Sequence, residues 1–200
     1  MATTTVPTTE LNAVNTMLAT IGEAPISTLD GTLTTDVTMA KNILDEVSRV
    51  VQAMGWHFNT VFDHTFSKDE SDEIPLAADV IKADVSPNVY NKSDTDPVIR
   101  YDSGTPKFYN RYKGTFSWDK DLKGSYTILM DFEDLPQVGR DYIMYRSSRI
   151  FQERMVGAEV LNKNLSINEA QALSLLREAE NNSADYTIFD SPSTLSIIDR

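Results

Sequence analysis

The apolar residues of this chain follow helical spacing near both of its ends and lose that spacing in between. Near the start, two apolar stripes predict helices over about 9–21 and 35–54. Towards the other end, two further stripes predict a helix that runs from Pro136 to Gly157 and another over about 167–184. The predicted order of elements is therefore two helices, a long stretch of another kind, and two more helices.

Residues that end helices stand directly after the first two stripes. Gly22 can adopt the left-handed conformation that closes a helix, and Pro25 prevents the helix from resuming. Gly55 follows the second stripe in the same way, and the adjacent Trp56 is expected to anchor the core. Both helix ends are thus predicted from residues with a physical reason to be there.

Two further signals predict where the later helices begin. Leu135 and Pro136 fit the start of the third helix, because the missing N–H of proline costs nothing in a first turn. Ser166 and Glu169 have the spacing of a capping box, in which the two side chains satisfy free backbone N–H groups. The fourth helix is therefore predicted to begin at about residue 167.

The stretch between the helices has the pattern of β structure. Mostly even spacing is expected to place four aromatic residues on one face of a strand, namely Trp56, Phe58, Phe62 and Phe66. Residues 126–132 alternate more regularly and form the clearest predicted strand. Residues 67–125 hold four of the eight prolines and nine of the nineteen aspartates, which predicts short strands joined by turns.

These elements predict an α+β fold. The simplest packing brings the four helices into one bundle over residues 1–56 and 133–185. Residues 57–132 then form an inserted β-rich subdomain, and residues 186–200 form an extended tail. With 200 residues, the chain is long enough to bury a core for one large domain or two small ones.

Composition excludes several classes of protein. The chain contains no cysteine, so disulfide scaffolds, thiolate metal sites and cysteine nucleophiles are excluded. Its net charge of −12 disfavours a protein that grips the phosphates of DNA. The start resembles no signal peptide, and no apolar run is long enough to cross a membrane, so we expect a soluble protein outside the secretory route.

The sequence offers no convincing catalytic or metal site, and we predict no catalytic residue, metal or cofactor. His57 and His64 are the only histidines, and they lack the spacing and the third ligand that a zinc site needs. The acidic run 69–73 lacks the loop that wraps calcium. Nucleotide-binding and serine-hydrolase motifs are also missing. Among thirty acidic residues, a pair of carboxylates suited to glycan hydrolysis is expected by chance.

Two groups of residues are candidates for contact with a neighbouring copy or another partner. The first is a set of cations on the third helix, which can bind carboxylates or simply offset nearby acids: Arg140, Arg146, Arg149 and Arg154. The second is the apolar content of the tail, which predicts that the tail docks on something: Tyr186, Ile188, Phe189, Leu195, Ile197 and Ile198.

Charge is unevenly distributed within the predicted β-rich subdomain. Residues 63–96 hold nine acidic and three basic residues (net −6), whereas residues 97–130 hold three acidic and six basic residues (net +3). Copies of the chain could stack with the positive patch of one on the negative patch of the next. Solvated faces of a single subunit would give the same count, and both interpretations stay open.

Several stretches resemble the tail tubular protein A, or head-to-tail adaptor, family of T7-like short-tailed phages. The resemblance covers the helical parts at both ends and the chain length, while residues 67–125 and the last fifteen show little of it. The matching stretches are residues 11–15, 21–29 (Ile-Gly-Glu-Ala-Pro-Ile-Ser-Thr-Leu), 55–59 (Gly-Trp-His-Phe-Asn), 131–136 (Asp-Phe-Glu-Asp-Leu-Pro), 149–152 and 157–158.

The resemblance implies a structural protein of the phage tail, assembled in the host cytoplasm. Twelve copies would form a ring beneath the portal protein, with the helical part in the ring and the β subdomain facing outward. The ring would connect the portal to the nozzle protein, tail tubular protein B, and tail fibres would attach near that junction. DNA would leave through the ring without specific binding. The resemblance also implies that residues 186–200 reach a neighbouring copy or the portal.

Two functions of other classes remain as alternatives to the adaptor. A virion-associated hydrolase of capsule polysaccharide is favoured only by the abundant carboxylates and the setting at the host envelope. A free-standing soluble binding module with an α+β fold would also fit the composition. Three observations favour the adaptor. The absence of cysteine suits assembly in a reducing cytoplasm, and the net charge of −12 suits a channel through which DNA passes. The oppositely charged segments of the β-rich stretch suit contacts between neighbouring copies in a closed ring.

Overall fold

A computed structural model describes residues 6–85 and 96–183. The chain divides into two compact units, one built from Met1–Ser48 with Phe132–Arg200 and the other from Arg49–Asp131. The three-part division expected from the sequence, including the boundaries at residues 56 and 132, stays a prediction.

Four α-helices lie among the described residues: α1 (Glu10–Ala19), α2 (Thr35–Gln52), α3 (Gln137–Met155) and α4 (Glu159–Ser183). A short 3-10 turn, Phe132–Asp134, precedes α3. In the first unit, α3 packs against both α1 and α4. Thr9 caps α1 by accepting a hydrogen bond from the backbone N–H of Asn12 at 3.2 Å.

The apolar stripes predicted from the sequence supply the core of the first unit. The buried side chains are Ala13, Val14, Met17, Leu18, Val37, Ala40, Ile43, Leu44, Val47, Leu135, Tyr142, Ile143, Met144, Phe151, Ala172 and Leu176. Each stripe turns one side of its helix towards this core, as an amphipathic helix does. Both early helices and the α+β class are confirmed; the arrangement of the four helices as one bundle stays a prediction.

The second unit holds two small antiparallel sheets. Three strands, β1 (Thr60–Phe66), β2 (Val80–Val85) and β5 (Leu122–Ile128), pair in the order β1-β5-β2. The other two, β3 (Pro97–Asp102) and β4 (Thr105–Asn110), form a hairpin. Ser103 and Gly104 form the two-residue turn that joins β3 to β4. Both have positive φ (+50° and +86°), as such a turn requires.

The core of the second unit joins both sheets. Its buried residues are Phe66, Ile74, Leu76, Val80, Val85, Phe108, Trp118 and Leu122. Gly124 lies opposite Val85 in the central strand β5, where an added Cβ would stand 2.0 Å from the carbonyl oxygen of Asp84. Close approach of two backbones therefore requires glycine at position 124.

The aromatic face predicted for the first strand is wrong. Residues 56–59 form a turn, and the strand begins at Thr60. Phe66 is buried, but Phe62 is 70% exposed. The register shifts between Val61 and His64, where Asp63 has φ +53°, and such a bulge exchanges the faces of the residues on its two sides.

The strand predicted over residues 126–132 is displaced towards the start of the chain. Strand β5 occupies Leu122–Ile128. Met130 leaves the sheet because the side chain of Gln52 forms both of its backbone hydrogen bonds, at 2.8 and 2.9 Å. A side chain that replaces a neighbouring strand in this way ends the ladder.

The capping box predicted for the fourth helix is also wrong. Helix α4 begins at Glu159, so Ser166 and Glu169 lie well inside it. The Ser166 hydroxyl donates to the carbonyl oxygen of Lys163 at 2.7 Å, and Glu169 pairs with Arg149. Gly157, with φ +67°, separates α4 from α3, so the helix starts directly after the turn.

Candidate assembly surfaces

The turn after α1 has the geometry that its glycine predicts. Gly22 has φ +83°, the Glu23 N–H donates to the carbonyl oxygen of Leu18 at 3.1 Å, and the Gly22 N–H donates to that of Ala19 at 3.2 Å. This pair of bonds is the Schellman motif, which satisfies carbonyl groups at the end of a helix. The predicted left-handed cap at Gly22 is confirmed.

The chain beyond this turn is held against α1 by an asparagine. The Asn15 side chain accepts from the Ile26 N–H at 2.8 Å and donates to the Ile26 carbonyl oxygen at 3.0 Å. Pro25, directly before Ile26, has no N–H and does not compete for these bonds. The sequence Gly22 to Pro25 is therefore a fixed turn of the first unit.

A buried polar network organises the end of α2 in the second unit. Gly55 has φ +77°, and the Trp56 indole N–H donates to the carbonyl oxygen of Val51 at 2.8 Å. The Asn59 side chain accepts from the Trp56 N–H and donates to the carbonyl oxygens of Gln52 and Ile128. Gln52 and Asn59 are almost fully buried, so their bonds are made away from water.

Arg140 of α3 binds three backbone carbonyls, two from the turn before α3 and one from the chain before α1. Its guanidinium donates to the carbonyl oxygens of Leu135 at 2.7 Å, Thr8 at 2.8 Å and Glu133. Arg140 is 8% exposed, so it acts within the subunit. Pro136 stands at the N-cap of α3 with an extended backbone, and Leu135 before it is buried.

Arg146 and Arg149 connect α3 to α4 through one carboxylate. The Nε of Arg149 lies 2.5 Å from an oxygen of Glu169, and Nη1 of Arg146 lies 3.9 Å from the other. The hydrogen bond to Glu169 raises the pKa of Arg149 above its ordinary value. Arg146 also donates to the Tyr142 hydroxyl at 2.8 Å. These two cations therefore have partners inside the subunit.

Arg154 lies at the end of α3 and forms a bidentate pair with Glu46 of α2, with both N–O distances at 3.0 Å. About half of each of these side chains is exposed. The prediction that the four arginines contact the portal or a neighbouring subunit stays a prediction. Arg154 is the most accessible of the four.

The apolar tail residues proposed as contacts lie outside the described residues. This applies to Tyr186, Ile188, Phe189, Leu195, Ile197 and Ile198.

Opposite charges in the second unit are paired with one another. The ammonium of Lys107 lies 2.7 Å from Glu73 and 2.9 Å from Asp102. Its hydrogen bond and charge hold the pKa of the Asp102 carboxyl below the usual range. Hydrogen bonds to Glu73 and Asp102 raise the pKa of Lys107 in turn. The uneven charge of the sequence is therefore partly neutralised inside the unit.

Helix α4 carries an apolar surface that was not predicted from the sequence. Val160, Ile167 and Leu175 are 75%, 50% and 57% exposed. Their spacing of seven and eight residues places them on one side of the helix, and we call them the α4 stripe. The predicted start of the fourth helix at about residue 167 conceals this pattern, because Val160 then lies outside the helix.

A groove lies beside the start of α4 in the first unit. It has a volume of about 440 Å³, and its walls come from the end of α1 and the turn after it, the C-cap of α3, and the first two turns of α4: Ala19, Thr20, Ile21, Gly22, Val156, Leu161, Asn164 and Leu165. Leu161 and Val156 are about half exposed. The walls are mostly apolar, so water is a poor occupant.

Neither a metal site nor a membrane span emerges from the described parts of the chain. Over residues 6–85 and 96–183, no three His, Asp or Glu side chains are grouped so that they could hold a metal ion. Within the same ranges, no helix is long and apolar enough to cross a bilayer. His57 precedes β1, and His64 packs edge-on against Phe66 and Tyr126.

Comparison with known protein families shows which family the chain belongs to. The family model described as Tail tubular protein matches residues 11–186, or about nine-tenths of the chain. The chain belongs to the tail tubular protein family. The resemblance found in the sequence is confirmed, and the match also spans residues 67–125, where the sequence alone gave little sign of it. No curated protein matches the chain.

Membership of the tail tubular protein family fixes the general role. The chain is a structural component of a phage tail, located in the virion tail, and it assembles with other tail components. The turn at Gly22 and the hydrogen bonds of Arg140 hold the first unit together, and the hydrogen bonds of Gln52 and Asn59 do the same within the second unit.

Proposed function

We propose that this protein is the adaptor of a short-tailed phage, a ring of twelve copies that joins the portal protein to the nozzle protein. Its family membership over residues 11–186 carries the proposal. In this role the protein catalyses no reaction. It docks on the portal, presents a platform to the nozzle and tail fibres, and encloses the channel through which DNA leaves.

The charge of the chain supports a conduit. At a net charge of −12, each copy repels the phosphates of DNA, and twelve copies around a channel repel them together. DNA in transit then meets a wall to which it does not adhere. A binder of DNA would need cations in excess.

Contacts between copies are proposed at two places. Residues 186–200 supply apolar side chains that reach a neighbouring copy or the portal. The exposed pair of Arg154 and Glu46 supplies charges at the surface, and exposed charges tune which partners associate more than how tightly they bind. Buried Arg140 instead keeps the shape of the surface around it.

The proposal is tested by mixing purified protein with purified portal rings and counting copies by native mass spectrometry and cryo-electron microscopy. One protein copy per portal subunit, arranged as a ring, is the expected result. A variant with Ile197→Ser and Ile198→Ser should bind the portal at least about tenfold more weakly. Ser196→Ala, in the same segment, is the matched control and should bind normally. A wild-type chain that binds no portal would overturn the adaptor proposal.

A further inference from the structure

Helix α4 carries an apolar surface that the described residues leave uncovered. The α4 stripe runs along one side of the helix, and the groove lies at its beginning, where Leu161 and Leu165 line the wall. Isolated exposed apolar residues are ordinary, but a row that leads into an apolar groove is typical of a binding surface. Some chain segment or partner is therefore expected to cover it.

The segment 184–200 follows α4 directly and has the composition that this surface requires. Its apolar residues form two clusters, one at 186–189 and one at 195–198, separated by Ser191, Pro192 and Ser193. Two apolar clusters match a surface with two parts, the stripe and the groove. The proline and serines between them favour a turn or extended connection over a continued helix.

The segment is also long enough to return to the groove. Ser183 lies roughly 27 Å along the helix from Leu165, at a rise of about 1.5 Å per residue. Residues 184–195 can span up to about 40 Å when extended, at about 3.3 Å per residue. Because the segment is tethered to the same helix, its effective concentration at this surface is of millimolar order, which favours its own chain over a second copy.

We propose that, in the free subunit, residues 184–200 fold back along α4 of the same chain. The cluster at 186–189 covers the stripe near Leu175, and the cluster at 195–198 fills the groove beside Leu161. This strap keeps apolar surface from associating with other copies before assembly. The inference rests on the proposed function for its purpose only, because the same segment is proposed to reach a neighbour or the portal once the ring forms.

Engineered cysteines test the strap directly, since the natural chain has none. A pair Leu161→Cys and Ile197→Cys is oxidised at low micromolar concentration, and the disulfide is mapped by mass spectrometry. The control pair, Ser166→Cys and Ile197→Cys, places the first cysteine about 140° around α4 from Leu161, on the side away from the stripe. We expect the first pair to close within one chain at least about tenfold faster than the control pair.

Equal rates for the two pairs would overturn the strap. A disulfide at position 161 that joins two different chains, detected by mixing isotopically labelled and unlabelled protein, would overturn it in favour of exchange between copies. The experiment uses the free subunit alone, so its failure leaves the portal-binding test untouched.

A dye that fluoresces on apolar surface gives an independent readout with a defined sign. If the segment covers α4, removal of residues 184–200 uncovers the stripe and groove, and dye binding increases. If the segment covers nothing, its removal takes away apolar residues and dye binding falls. An increase supports the strap, and a decrease contradicts it.

Discussion

At the scale of single residues, the conformation of Gly22 is the clearest case of a sequence signal with a structural consequence. An added Cβ at this position meets no atom within 4 Å, so any cost of substitution comes from the backbone conformation alone. The positive φ makes glycine the favoured residue there, although space for a side chain exists.

We therefore expect Gly22→Val to lower the free energy of unfolding by more than about 1 kcal/mol, measured by urea denaturation. Gly22→Asn should cost less, because asparagine tolerates the left-handed region better than a β-branched residue does. An unchanged urea midpoint in Gly22→Val would contradict the cap.

The ion pairs of Lys107 give a residue-scale prediction about pH. The lowered pKa of Asp102 means that its contribution to stability is present above about pH 4 and is lost as the pH falls through its folded value. The raised pKa of Lys107 means that its contribution is present below about pH 10 and is lost at higher pH.

Lys107→Met should accordingly lower the thermal midpoint most around neutral pH, and the difference from the natural chain should shrink towards pH 3. The pKa of Asp102, followed by NMR, should rise towards its ordinary value. Lys163→Met, on an exposed part of α4, serves as the control and should change neither quantity. A pH-independent difference would show that Lys107 acts through packing of its stem instead.

At the scale of elements, Gln52 determines where strand β5 gives way to the chain that leads into α3. It forms both backbone hydrogen bonds of Met130 and is fully buried. Gln52→Leu should lower the free energy of unfolding by about 2 kcal/mol or more, because backbone groups of Met130 lose their partners. Chemical denaturation measures this, with exposed Gln171→Leu as the control. A loss below about 0.5 kcal/mol would show that water or another group replaces Gln52.

The elements that the sequence predicts well are those with local causes. Helices α1 and α2 follow from their own stripes, and the ends of both follow from Gly22 and Gly55. The strand predictions were wrong where the structure depends on a distant residue or on an irregularity. Gln52 removes Met130 from the sheet, and the bulge at Asp63 turns Phe62 outward. Neither effect leaves a periodic signal in the sequence.

The start of α4 was missed for a similar reason. Ser166 and Glu169 have the spacing of a capping box, but Glu169 is used for contact with Arg149 of α3. Among the predicted contact residues, cationic composition singled out the arginines of α3, and the structure gives Arg140, Arg146 and Arg149 partners within the subunit. Sequence spacing cannot distinguish an arginine that holds its own fold from one that faces a partner.

At the scale of the whole molecule, folding and assembly are expected to depend on different parts of the chain. The described core residues of both units lie before Ser183, whereas residues 186–200 lie beyond them. Removal of 186–200 should therefore leave a subunit that still unfolds in one cooperative transition, with its thermal midpoint lowered only by the lost contacts of the strap, while it abolishes ring formation on the portal. A truncated chain that assembles normally would contradict this assignment of the tail.

The central claim is that this member of the tail tubular protein family forms a ring with one copy for each portal subunit. The most direct test is quantitative mass spectrometry of purified virions with isotope-labelled standards for this protein and for the portal protein. The account predicts equal copy numbers. Absence of the protein from virions, or a copy number far from that of the portal, would contradict the account.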